Sequence, residues 1–104
     1  MQTSARRRVL ALDRYDNVAN ALEAIAAGDE IDAQSDQTVV ARTPVPLGHK
    51  VALVSIRAGE PVVKYGEPIG LARSDIAPGE HVHTHNVDRL FADWLTARTG
   101  AVSE

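Results

Sequence analysis

One seven-residue pattern recurs four times in this chain: an aliphatic residue, two residues, Gly, a polar residue, any residue, then Val or Ile. It runs Ile25–Ile31 (IAAGDEI), Val45–Val51 (VPLGHKV), Ile56–Val62 (IRAGEPV) and Ile76–Val82 (IAPGEHV). The glycines fall at 28, 48, 59 and 79, so the spacings are 20, 11 and 20 residues. Ala or Pro precedes the glycine at Ala27, Ala58 and Pro78, which suits a type II-like turn whose glycine takes positive φ without a Cβ clash. The flanking aliphatic residues anchor each turn in a core. The residue after each glycine (Asp29, His49, Glu60, Glu80) is polar, as expected where the chain leaves a turn at the surface. Turns at this interval between short Val/Ile runs predict a compact, mainly β fold, largely antiparallel. The equal outer spacings predict two related halves.

Short strands are predicted at Thr38–Arg42, Lys50–Ser55, Val62–Lys64, Ile69–Ala72 and Glu80–Thr84. The five prolines (Pro44, Pro46, Pro61, Pro68, Pro78) lie at their margins, where a missing N–H does no harm. Two helices are expected as well. Asp16 can cap a short N-terminal one in which Val18, Leu22 and Ile25 recur at i, i+4 and i+7, ending near Gly28. Leu90, Phe91, Trp94 and Leu95 form an apolar stripe for a C-terminal amphipathic helix on Asp88–Arg98, able to cover the sheet or dock on a partner. The expected organisation is a disordered terminus over 1–8, one domain over 9–87, and a helix and tail over 88–104.

The chain has 104 residues and four aromatic side chains, Tyr15, Tyr65, Phe91 and Trp94. A domain this size buries about two-thirds of its unfolded surface, so one modest aliphatic core is expected, with little left to enclose a deep cleft. Net charge is −3, and four of the eleven basic residues (Arg6, Arg7, Arg8, Arg14) stand near the start. That distribution argues against a nucleic-acid-binding stripe. The absence of cysteine removes disulfides, thiolate nucleophiles and cysteine metal sites, and fits a reducing cytoplasm. No apolar run approaches the roughly 18 residues of a membrane span, and the start lacks a signal-peptide core. A cytoplasmic domain without a membrane partner is expected.

Chemistry concentrates in His81-Val82-His83-Thr84-His85-Asn86. On a strand the three histidines would share one face, with neighbours about 7 Å apart at Cα, a distance one ion can bridge through two imidazoles. The outer pair is nearly twice as far apart, so the metal reading is an H-x-H pair, His83 and His85, with further ligands from elsewhere. Metal ligation, proton transfer and binding of an anionic substrate are all open to such a cluster; so is a plain exposed edge strand. Gly48-His49-Lys50 and Lys64-Tyr65-Gly66-Glu67 place the fourth histidine and both lysines beside turns. Lys and His could bind a carboxylate, and Tyr or Lys could move a proton next to it. No nucleophile elbow, phosphate loop or dinucleotide fingerprint is present.

These residues carry a family resemblance. Asp16-Asn17-Val18-Ala19, Gly48-His49-Lys50-Val51-Ala52, Val62-Val63-Lys64-Tyr65-Gly66-Glu67-Pro68-Ile69-Gly70 and Ala77-Pro78-Gly79-Glu80-His81-Val82-His83-Thr84-His85-Asn86 resemble, in order, the SAF domain of altronate and galactarate dehydratases, the UxaA-type hydro-lyases. The resemblance runs from about Val9 to Val87 and implies a β-clip (SAF-like) fold. It implies β-elimination from a hydroxy acid, with loss of water or sulfite, supported by a divalent metal, often iron. It also implies a large catalytic subunit as partner, as for the alpha subunit of sulfolactate sulfo-lyase. On this reading His83, His85, Lys64 and Tyr65 are candidate catalytic groups, and His83 and His85 the metal ligands. His49, Lys50 and Asn86 are candidate substrate contacts. The alternative is a non-catalytic binding module for a sugar acid or a protein, since SAF-like domains also occur in sialic-acid synthases, antifreeze proteins and pilus assembly proteins.

Overall fold

A computed structural model describes residues 6–33 and 38–89. Nine short strands make up its regular structure: β1 (Arg6–Leu10), β2 (Val18–Ala21), β3 (Glu30–Asp32), β4 (Val39–Val40), β5 (Lys50–Ala52), β6 (Pro61–Lys64), β7 (Glu67–Ala72), β8 (His81–Val82) and β9 (Val87–Asp88). Six form one sheet in the order β4-β3-β1-β2-β5-β8, and three form a second, β6-β7-β9. Every pairing is antiparallel except β1 with β3.

All four glycines of the repeated pattern have positive φ, between 85° and 92°. In each turn the N–H after the glycine closes a type II-like turn on the carbonyl three residues back: Asp29 on Ala26, His49 on Pro46, Glu60 on Arg57 and Glu80 on Ala77. The turns then pair off. Ile25 and Val45 exchange two backbone hydrogen bonds, and so do Ile56 and Ile76. The glycine N–H groups donate to alanine carbonyls: Gly28 to Ala41, Gly48 to Ala21, Gly59 to Ala72 and Gly79 to Ala52. Adding 31 to each residue number of the first pair gives the second, so the predicted two halves exist.

Each half has its own core. Ile25, Ile31, Val45 and Val51 centre one buried cluster; Ile56, Val62, Ile76 and Val82 centre the other. These are the aliphatic positions of the repeated pattern. Among the described residues the buried hydrophobics are only Ala, Val and Ile, and burying each Val or Ile contributes about 1.5–3 kcal/mol. β2 and β5 serve both halves. Ala19 and Val51 enter the first cluster while Val18 and Ala52 enter the second, because successive side chains on a strand point to opposite faces.

That sharing explains why the expected N-terminal helix does not form. Val18–Ala21 is strand β2, with Val18 and Ala19 both buried on opposite faces, and Leu22 of the supposed apolar stripe is exposed. Asp16 acts in a turn instead, its carboxylate accepting the N–H groups of Leu12, Asp13 and Gly66. Those bonds hold its carboxyl below the ordinary range against the opposing effect of burial. Asn17 clasps β6 with both ends of its amide, donating to the Pro61 carbonyl and accepting from the Val63 N–H. The described residues contain no helix. Asp88, expected to open the C-terminal helix, lies in β9; the rest of that helix falls outside the described residues.

Each of the five predicted strands contains or falls within an observed one, usually shorter. Strands β1, β2, β3 and β9 were not expected. Arg6–Arg8, expected within a disordered terminus, open β1 and are engaged by acids: Arg6 with Glu30 and Asp32, Arg7 with Glu23 and Asp29, and Arg8 with Glu23. Among the described residues no helix is long and apolar enough to cross a membrane.

Candidate functional site: a histidine cluster beside Lys50

In three of the glycine turns the residue after glycine folds its carboxylate back onto the N–H that opens the turn. Asp29 accepts from Ala26 (2.9 Å), Glu60 from Arg57 (2.8 Å) and Glu80 from Ala77 (2.8 Å). The second turn cannot do this, since the opening residue is Pro46, which has no N–H. Its residue after glycine is His49, whose ring turns elsewhere. Its Nδ1 lies 2.9 Å from Nε2 of His81. The backbone of His49 is fixed on both sides, by its N–H to Pro46 and by its carbonyl accepting from Ala21.

β8 brings His81 to this point by pairing with β5, Val51 opposite His81. The His81 N–H donates to Thr43 Oγ1 (3.0 Å). Beyond Val82 the strand ends and the chain turns over residues 83–86. Asn86, the one buried polar residue among those described, shapes this turn. Its Oδ1 accepts from the His83 N–H, its Nδ2 donates to the His81 carbonyl, and its own N–H donates to the His83 carbonyl. Asn86, read as a substrate contact from the sequence, thus spends both ends of its amide on the backbone of the histidine loop.

The result is a stack of imidazoles. His49 and His83 rings lie 4.0 Å apart at 16°, His49 and His81 5.1 Å apart at 26°. His85 stands beside His81 at 5.1 Å, tilted by 39°. His49, His81 and His83 offer ligand nitrogens all within 4.8 Å of one another. Two nitrogens bound to one ion at about 2.0–2.1 Å stand roughly 3 Å apart, close to the His49–His81 separation. Nδ1 of His83 is buried with no hydrogen-bond partner. A neutral-imidazole donor set of this kind suits zinc, iron or copper. Of the two histidines read as metal ligands from the sequence, His83 belongs to the group; His85 lies outside it.

The electrostatics are one-sided. Burial first, and then His85, His49, His83 and Lys50, hold the His81 imidazole below its ordinary value. Burial followed by His49, Lys50 and His85 does the same to His83. The Lys50 ammonium is lowered by burial and by Lys64. Among the described residues, every charged group that shifts these three is a base. Lys64 lies 5.0 Å from the Tyr65 ring at a two-residue hairpin tip, where Tyr65 (φ 55°) and Gly66 (φ 80°) both have positive φ, the signature of a type I′ turn. Lys50, His83 and Thr84 also line a groove of about 240 Å³ with Ile69, Val87, Asp88 and Arg89.

Sequence reasoning named all four histidines and both lysines but did not place His81 with His49. Thirty-two residues separate them, and only the β5–β8 pairing closes that distance. Thr43, Asp16 and Asn17, which position the site, were not read for that role; the one available clue was Pro46 standing where the other turns offer an N–H.

Residues 7–90 match the family model of the altronate/galactarate dehydratase SAF domain, and the chain belongs to that family. It is 50% identical over 78 residues to altronate dehydratase of Escherichia coli K12, covering 75% of this chain and 16% of that enzyme. It is 39% identical over 82 residues to altronate dehydratase of Bacillus subtilis 168, covering 79% and 16%. The alpha subunit of (2R)-sulfolactate sulfo-lyase from Paracoccus pantotrophus is 50% identical over 52 residues, half of this chain and 78% of that subunit. The chain therefore spans about a sixth of the dehydratases it matches and most of the sulfo-lyase subunit.

Proposed function

We propose that this chain is the SAF component of a hydroxy-acid lyase, supplying a histidine-lined wall to a site that a larger polypeptide completes. The observation that carries the reading is the convergence of His49, His81 and His83 on one point, in a domain homologous to parts of two lyases that eliminate from hydroxy acids. The groove beside the cluster, about 240 Å³ and open to solvent rather than enclosed, supports the need for a second wall.

β-Elimination requires a base for the proton next to the carboxylate, stabilisation of the enolate-like charge, and help for the leaving group. A divalent ion on His49, His81 and His83 would supply a Lewis acid for the oxygens of the acid. The chain's own groups supply the rest of this wall. The bases that shift His81, His83 and Lys50 favour an anionic ligand and the negative charge that grows as its proton leaves. His85, exposed and outside the trio, is free to carry that proton, and the Tyr65 hydroxyl at the hairpin tip is a second proton carrier.

The test is reconstitution. The purified chain alone should give no turnover. Together with a large lyase polypeptide of the same family, it should release a 2-oxo acid from an aldonate or sulfite from a sulfonated hydroxy acid. A large polypeptide fully active without this chain, or one that never binds it, would overturn the proposal. Binding of the acid without turnover in the assembled complex would favour the binding-module alternative.

A further inference from the structure

The two halves of the domain build the same face twice, and only one copy carries polar side chains. At the first bridge Ile25 and Val45 are buried, so their neighbours Ala24, Ala26, Pro44 and Pro46 point outward, and all four are exposed. Leu22 (44% exposed) and Leu47 (64%) flank them, brought together by the Gly48 N–H on the Ala21 carbonyl. In the second half Ser55, Arg57 and Asp75 stand where Ala24, Ala26 and Pro44 stand in the first. These three are exposed as well, and they line one depression together with Glu80. The residue that matches Glu80 in the first half is His49.

The shared backbone shows that polar and charged side chains fit this face, yet the first half places none there. The one charge within 22–27 and 44–47 is Glu23, and its carboxylate is taken up by Arg7 and Arg8. A partner can therefore cover the face without stripping water from an unpaired charge. Pro44 and Pro46 also have no N–H to leave without a partner. Leu47 breaks the pattern of its own turn, since the other three turns carry Ala27, Ala58 and Pro78 before the glycine. An exposed apolar patch rimmed by polar groups marks a protein–protein contact.

We propose that the face made by Leu22, Ala24, Ala26, Pro44, Pro46 and Leu47 is where the large lyase polypeptide seats an apolar surface of its own. This deepens the lyase reading above and rests on it for the identity of the partner. The family carries this domain both as about a sixth of one long chain and as most of a separate subunit, and a separate subunit is held by its surface alone. The face adjoins the site that the partner would complete: the turn Pro46–His49 carries Leu47 at its apex and sends the His49 ring to His81. A second copy of this chain would bring only another histidine wall, without the groups that elimination still needs.

The experiment is methyl-resolved NMR of the full chain, labelled at Ala and Leu, titrated with the large lyase polypeptide used for reconstitution. The Leu22, Ala24, Ala26 and Leu47 methyls should shift or broaden, and those of Ala58 and Ala77 on the matching face should not. Leu47→Asp should weaken binding about tenfold or more, and so should Ala26→Arg, which copies Arg57 of the second half and so suits the backbone. Arg57→Ala should leave binding nearly unchanged. Perturbation confined to Ala58 and Ala77, or undiminished binding in a folded Ala26→Arg or Leu47→Asp protein, overturns the docking face while the lyase reading stands. A dimer of the isolated chain in sedimentation that Leu47→Asp dissolves assigns the face to a second copy and also overturns it. A wild-type chain that never binds the large polypeptide removes both readings together. Where a variant does not fold, the methyl map of the unmodified chain decides.

Discussion

The second and fourth glycine turns are structural equivalents with different duties. Gly48 and Gly79 have φ of 85° and 86°, and their N–H groups donate to Ala21 and Ala52 at matching places in the two halves. In the fourth turn Glu80 spends its carboxylate on Ala77, so the turn closes on itself. In the second, Pro46 offers no N–H, and His49 sends its ring to His81. The backbone is set by glycine and strand pairing alike in both. What differs is whether the next side chain is consumed by its own turn, and where it is not, that side chain is available for chemistry.

The largest expected effect separates the two glycines. A Cβ at Gly79 would run into the Val40 carbonyl, whereas one at Gly48 meets nothing within 4 Å. Gly48→Ala should therefore cost only the left-handed backbone penalty, about 1–2 kcal/mol. Gly79→Ala should add a collision and cost about 3 kcal/mol or more, or prevent folding. Urea denaturation of both variants checks this; equal losses would show that the halves are less distinct than their contacts.

A second expected effect separates the residues that follow. His49→Ala should lower affinity for Zn²⁺ or Fe²⁺ on the order of 100-fold, since even outer partners of metal ligands are worth about 10–100-fold. Glu80→Gln should leave metal affinity nearly unchanged and cost about 0.5–1.5 kcal/mol of stability through its weakened turn bond. Calorimetric metal titration beside thermal melts distinguishes them. Similar metal loss in Glu80→Gln would break the division of duties.

The smallest effect is in pH. The folded chain holds the His81 and His83 imidazoles below their ordinary value, so the unfolded chain takes up protons first as the solution is acidified. Stability from this source is complete above about pH 6.5 and is lost as pH falls through the depressed folded values. The melting temperature of the metal-free protein should fall between pH 7.5 and 5, and fall less in His81→Asn. A flat or rising profile would contradict the crowded-imidazole geometry.

Much of this molecule is legible in its residues. The seven-residue pattern of an aliphatic residue, two residues, Gly, two residues and Val or Ile dictates a turn, because a Cβ is disfavoured at positive φ and the flanking aliphatic side chains must be buried. Repeated four times, it announces the mainly β fold, the two halves and the all-aliphatic core. The expected helix over Asp16–Gly28 shows where local pattern stops: Val18, Leu22 and Ile25 fit a helical stripe. Yet Val18 and Ala19 are claimed by two cores on opposite sides of one strand, a demand that only the complete sheet creates. The site divides the same way. Histidine alternation and the lysine-bearing turns mark the residues, but grouping His49 with His81 and His83 needs the pairing of β5 with β8. Side-chain type is a local property and is written in the chain; which side chains meet across thirty residues is decided by strand register, which exists only once the whole fold has formed.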